Sequence, residues 1–124
     1  LLLAALTAGC ATSDGNGHGA RTPNEAIEAA YRLCQAGNLK EVVQFFDGGL
    51  RVWDQAPGLV TDTCARITED GSLKGWEYGH RTVTGDSAAI FTNNYLDADR
   101  TVYGRRLGWV LVRKHGRWLI TEVI

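Results

Sequence analysis

Among the many side chains of this sequence that could exchange a proton with a substrate, the candidates for acid–base work are Tyr31, Asp54, Tyr78, His80, Tyr95 and Asp97. An imidazole titrates near neutral pH, and a phenol or carboxyl reaches that range when its surroundings shift it. On an extended strand Trp76, Tyr78 and His80 alternate onto one face, which would make an aromatic wall carrying an imidazole. A cross-strand aromatic ladder with no catalytic duty fits the same spacing. Nothing in the sequence places a carboxylate beside His80. The other two histidines sit in polar surroundings, His18 in a glycine-rich stretch and His115 in a turn. No His-x-x-x-His pair, Cys-x-x-Cys, phosphate-binding loop or Gly-x-Ser-x-Gly elbow occurs, so no metal or cofactor is expected. The Gly15-x-Gly17-x-Gly19 run has no strand before it, which removes a dinucleotide loop.

Cys10 has a chemistry of its own. The stretch Leu1-Leu2-Leu3-Ala4-Ala5-Leu6-Thr7-Ala8-Gly9-Cys10 is apolar and uncharged, and too short to span about 30 Å of hydrocarbon. It reads as the end of a signal-peptide apolar region. The chain has no methionine, so the charged start of that signal is expected upstream. Leu6-Thr7-Ala8-Gly9-Cys10 resembles a bacterial lipobox, with Thr7 where a leucine is usual. The resemblance implies a Cys10 thiol that accepts diacylglycerol, a palmitate-bearing anchor and a membrane-attached, extracytoplasmic protein. Residues 1–9 are then signal remnant, and 10–21 are the lipidated cysteine and a flexible tether. A buried helix with Cys10 in a core is the alternative. The polar, glycine-broken residues 11–21 argue against it. In an oxidising compartment the remaining pair, Cys34 and Cys64, is expected to form a disulfide, although two reduced buried thiols would also fit.

The elements that must hold these residues begin at Thr22-Pro23-Asn24-Glu25. A threonine cap, a proline at the first helical position and a glutamate three residues after the cap mark a helix start. Ile27, Ala30, Tyr31 and Cys34 share one face, and Gly37 supplies the stop. Asn38-Leu39-Lys40-Glu41 opens a second, short helix to about Phe46. Residues 50–58 are left open, and 59–68 recur at helical intervals. From Ser72 the period becomes two, predicting strands at 73–83, 87–96, 101–113 and 117–123, the last pair joined at Lys114-His115-Gly116. Helices followed by an antiparallel meander make an α+β domain, with Trp109, Leu111, Trp118 and Ile120 expected to anchor the sheet to the helices.

Thirteen basic and fourteen acidic groups give a net charge of −1, which excludes a nucleic-acid footprint. The excess of base falls late, with Arg100, Arg105, Arg106, Arg113 and Lys114 on or beside the third strand. That edge could meet anionic lipid or polymer, or could simply be the solvated side of a sheet.

Residues 22–124 resemble the nuclear-transport-factor-2-like (NTF2-like) superfamily, and within it small bacterial lipoproteins of uncharacterised function. The residues that carry the resemblance are Thr22-Pro23-Asn24-Glu25-Ala26-Ile27, Ala36-Gly37-Asn38, Val83-Thr84-Gly85-Asp86-Ser87-Ala88 and Gly116-Arg117-Trp118-Leu119-Ile120. It implies N-terminal helices packed in a curved four-stranded antiparallel sheet, a cone-shaped roll with a pocket at its wide end. Tyr31, Trp76, Tyr78, His80 and Tyr95 are then the candidate ligand contacts. The expected role is a non-catalytic domain that binds a small ligand or an envelope protein through the pocket or the sheet face. The alternative is a pocket enzyme of isomerase or dehydratase type, using His80 with tyrosine or aspartate groups.

Overall fold

The computed structural model describes residues 18–55, 57–68 and 73–124. The expected signal remnant, the lipid-accepting Cys10 and tether residues 11–17 lie outside them. Helix α1 (Pro23–Gln35) starts where its cap chemistry requires. The Thr22 hydroxyl accepts from the Glu25 N–H, and the Glu25 carboxylate accepts from the Arg21 N–H. Helix α2 (Leu39–Val42) is capped the same way by Asn38 and runs into a 3-10 turn, Val43–Phe45. The open stretch becomes helix α3 (Leu50–Gln55), and α4 (Pro57–Thr68) follows. Pro57 therefore opens a helix, the position its missing N–H and fixed φ favour.

Strands β1 (Gly75–Thr84), β2 (Ser87–Tyr95), β3 (Tyr103–Lys114) and β4 (Arg117–Val123) form one antiparallel meander in chain order. The β3–β4 turn needs φ > 0 at both central residues, and His115 (53°) and Gly116 (76°) supply it. The register slips between Tyr78 and Arg81, between Asn93 and Tyr95, and between Val110 and Leu111. Each slip bends its strand, and together they curve the sheet around the helices. The expected anchors Trp109, Leu111, Trp118 and Ile120 are all buried there, beside Ile27, Tyr31, Val42, Val43 and Phe46. Cys34 on α1 and Cys64 on α4 are joined by a disulfide, with Cα atoms 4.9 Å apart.

The domain begins earlier than the sequence indicates. Ala20, assigned to the tether, is buried and forms an antiparallel bridge with Trp118 through two backbone hydrogen bonds of 2.9 and 2.7 Å. The His18 and Gly19 N–H groups both donate to the Gln44 carbonyl. Gly19 has φ +66°, and a Cβ there would stand 2.8 Å from the Trp118 carbonyl oxygen. Only glycine fits such a close left-handed approach without strain. Residues 18–20 thus form a strap on β4. The polarity that marks these residues as a tether does not register a small alanine filling a backbone-paired slot.

Candidate functional site

On its sheet-facing side α1 presents Tyr31, whose ring is buried against Trp76 of β1 at 4.4 Å and 9°, a close stack. Trp109 of β3 lies 5.6 Å away at a tilt, and Tyr78 meets Trp76 edge-on at 5.0 Å. Offset and edge-to-face rings of this kind attract beyond their buried area.

The polar atoms inside this cluster form a directed chain. The Trp109 indole can only donate, and its Nε1–H lies 2.8 Å from Thr92 Oγ1. The Tyr31 hydroxyl donates to Asn94 Oδ1. The 2.8 Å contact between Thr92 and Tyr31 therefore has Thr92 donating. The order is Trp109 to Thr92 to Tyr31 to Asn94, with each hydroxyl proton committed. No side-chain nitrogen or oxygen buried among the described residues lacks a partner. Burial pushes the Tyr31 phenol far above its ordinary value, and the Thr92 bond offsets this only in part. Residue type alone does not single out Thr92 and Asn94. Their signal is that both fall in the inward register of β2, where Ala88 and Ile90 are also buried.

At the rim, the Tyr78 hydroxyl donates to the Asn24 carbonyl (3.2 Å) and the Glu28 carboxylate (3.1 Å). Burial and the Glu28 charge raise its phenol well above the usual range, while Arg81 lowers it. Arg81 also reaches α1, at 2.7 Å from Asn24 Oδ1.

The expected wall of Trp76, Tyr78 and His80 does not form. The bulge after Tyr78 reverses the alternation, so Arg81 turns towards α1. His80 is left exposed, 3.4 Å from the Thr82 hydroxyl. Tyr95 follows the inward Asn94 directly and so projects to the opposite face of the sheet. There it packs against Tyr103 and under Arg100, and burial together with Glu77 pushes its phenol up to about 12. The five candidate contacts therefore divide, with Tyr31, Trp76 and Tyr78 on one face and His80 and Tyr95 apart from them.

The candidate carboxylates stand elsewhere. Asp54 is exposed on α3. Asp97 closes the β2–β3 turn, accepting from the Thr101 hydroxyl and from the N–H groups of Thr101 and Val102. Those bonds, the Thr101 hydroxyl first, hold its carboxyl below its ordinary value. The basic edge is also engaged: Arg113 pairs with Asp86 at 2.7 Å and Lys114 with Asp47 at 3.1 Å. Arg106 covers the Phe91 ring at 4.3 Å. Among the described residues no three metal-ligating side chains converge, and no helix is long and apolar enough to cross a membrane.

No protein-family model matches the chain, and neither does any curated protein. Solved structures do match in fold. A protein from Campylobacter jejuni named as an NTF2-like transpeptidase superposes with a TM-score of 0.61 at 19% identity, covering 81% of this chain and 97% of its own. A SEC-C motif containing protein from Rhodopseudomonas palustris gives 0.63 at 12%, covering 86% and 80%. A protein from Shewanella frigidimarina named as a ketosteroid isomerase gives 0.50 at 18%, covering 80% and 89%. Identities this low establish architecture and leave chemistry to the site. With its α1 cradled by a bulged four-stranded meander, the chain has the NTF2-like fold.

Proposed function

We propose that this domain is a lipid-anchored, extracytoplasmic binding module that performs no acid–base chemistry of its own. The observation that carries the non-catalytic part of this reading is the hydrogen-bond chain from Trp109 to Asn94. An enzyme would need a proton donor or acceptor facing substrate, whereas the Tyr31 proton is already held by Asn94. His80 and Tyr95 do not share the face of Tyr31. The half-buried rings of Trp76 and Tyr78 are the apolar surface a small ligand would meet on the concave side. The Cys34–Cys64 bridge supports an oxidising compartment, and with it the anchored reading of Cys10.

Native mass spectrometry of the protein purified from its own host tests the binding reading. A bound small molecule is expected, lost from Trp76→Ala and kept by His80→Ala. Loss from His80→Ala alone would place the ligand on the other side of the sheet. Turnover of such a ligand, abolished by Tyr31→Phe, would establish the isomerase or dehydratase alternative.

A further inference from the structure

A concavity lies between the strap, the outer face of α1 and the start of β4, and meets the aromatic cluster only through the bond from Tyr78 to Glu28. It measures about 340 Å³ and is lined by Arg21, Arg32, Arg117, Glu25, Glu28 and Phe45, among others. Its charges are arranged by the backbone. The bridge between Ala20 and Trp118 is antiparallel, so its register sets Arg21 directly across from Arg117. Like charges in that position repel, and no carboxylate forms an ion pair with either guanidinium among the described residues. Arg32 adds a third guanidinium from the last turn of α1, also without an ion pair there. Glu25, Glu28 and Arg32 are spaced three and four apart and share one face of that helix. Among the described residues Glu25 accepts from the Arg21 N–H and Glu28 from Tyr78. Each still has lone pairs to offer, since a carboxylate has about four acceptor sites.

We infer that this groove binds a zwitterionic phosphate, with the phosphate held by Arg21, Arg32 and Arg117 and a primary ammonium held by Glu25 and Glu28. Its source is the phosphoethanolamine headgroup of the membrane that carries the anchor. Guanidinium groups match phosphate oxygens in geometry, and an ammonium with three N–H donors suits two carboxylates. This assignment rests on the anchored reading of Cys10. Cys10 and His18 are eight residues apart, which limits their Cα separation to about 28 Å in any conformation. A groove beginning at Gly19 is thereby confined near the headgroups, where a short linker supplies effective concentrations of about millimolar. Even a weak site fills there.

The test uses the unlipidated Cys10→Ala chain, so its outcome does not depend on whether Cys10 is acylated. Co-sedimentation is measured with vesicles of phosphatidylcholine alone, and with phosphatidylethanolamine or phosphatidylglycerol added. Phosphatidylethanolamine should give the strongest binding, because the quaternary ammonium of phosphatidylcholine has no N–H to donate. Arg32→Glu and Arg117→Glu should each weaken it by at least about tenfold, through the loss of one charge-assisted contact and the repulsion of the new carboxylate. Arg32→Lys should retain only part of it, keeping the charge but losing the guanidinium fork, and Lys74→Glu, outside the groove, should leave it within about twofold. Circular dichroism should show the fold intact in these variants, since all three positions are exposed. Equal or stronger binding to phosphatidylglycerol, or an equal loss in Lys74→Glu, would reduce the effect to general charge attraction and overturn the site. Binding of free O-phosphoethanolamine without binding to vesicles would overturn the membrane source. Failure of Cys10 acylation in cells would instead refute the anchored reading and leave the vesicle result standing.

Discussion

Reducing the Cys34–Cys64 bridge removes a constraint that closes a 30-residue loop between α1 and α4. In the chain-entropy model a loop of that length stabilises the folded state by about 3.6 kcal/mol, because the unfolded chain can no longer separate the two sites. For a domain of about 100 residues this corresponds to a fall in Tm of about 15 °C or more. Both cysteines are buried, so reductant reaches the sulfurs only when the helices part. Reduction should therefore be carried out in denaturant, followed by refolding with thiols kept reduced. Urea unfolding of oxidised and reduced protein then gives two midpoints, expected to differ by the equivalent of about 3.6 kcal/mol. Mass analysis under non-reducing conditions should find the pair two protons lighter than free thiols. Coincident midpoints would refute the entropic reasoning. Two free thiols in protein isolated from its host would remove the bridge, and with it the support for an oxidising compartment.

Tyr31→Phe removes the middle of the buried chain and leaves Asn94 Oδ1 without its tyrosine donor, a cost of about 1–3 kcal/mol by urea unfolding; an unchanged midpoint would mean the chain does not bear on stability. Gly19→Ala forces a side chain into a left-handed backbone beside the Trp118 carbonyl and should cost about 1–2 kcal/mol, with faster hydrogen exchange at Ala20 and Trp118. Asp97 is held below its ordinary value of 3.8, so folding favours its charged form. Its contribution is full above about pH 4 and is lost as pH falls through the lowered folded value. Asp97→Asn should flatten that part of the acid unfolding curve, and an identical curve would contradict the turn-closing role. His80→Ala, at an exposed position, should move stability by less than about 0.5 kcal/mol.

Local chemistry was the legible part of this fold. The caps at Thr22 and Asn38 form the bonds their sequences imply, and the turn at His115-Gly116 takes the φ values its glycine permits. Trp109, Leu111, Trp118 and Ile120 were readable because large apolar residues two apart on a strand must find one covered face. What escaped the sequence depends on register. The bulge between Tyr78 and Arg81 exchanges one inward side chain for its neighbour, moving His80 out and Arg81 in. No local preference announces where such an extra residue falls. Thr92 and Asn94 look like surface residues until their phase with Ala88 and Ile90 is counted. Ala20 became part of the core through pairing with a residue 98 positions away, a contact that no window of neighbouring residues contains.

The proposal that matters most is that this domain is held at a membrane through Cys10. Metabolic labelling with palmitate in the native host, with and without globomycin, addresses it directly. The account predicts a labelled protein in the membrane fraction, an unlabelled one once Cys10→Ala is introduced, and a labelled but longer precursor that keeps its signal peptide when the signal peptidase is inhibited. Label that persists on Cys10→Ala, or an unlabelled wild-type chain, would contradict it.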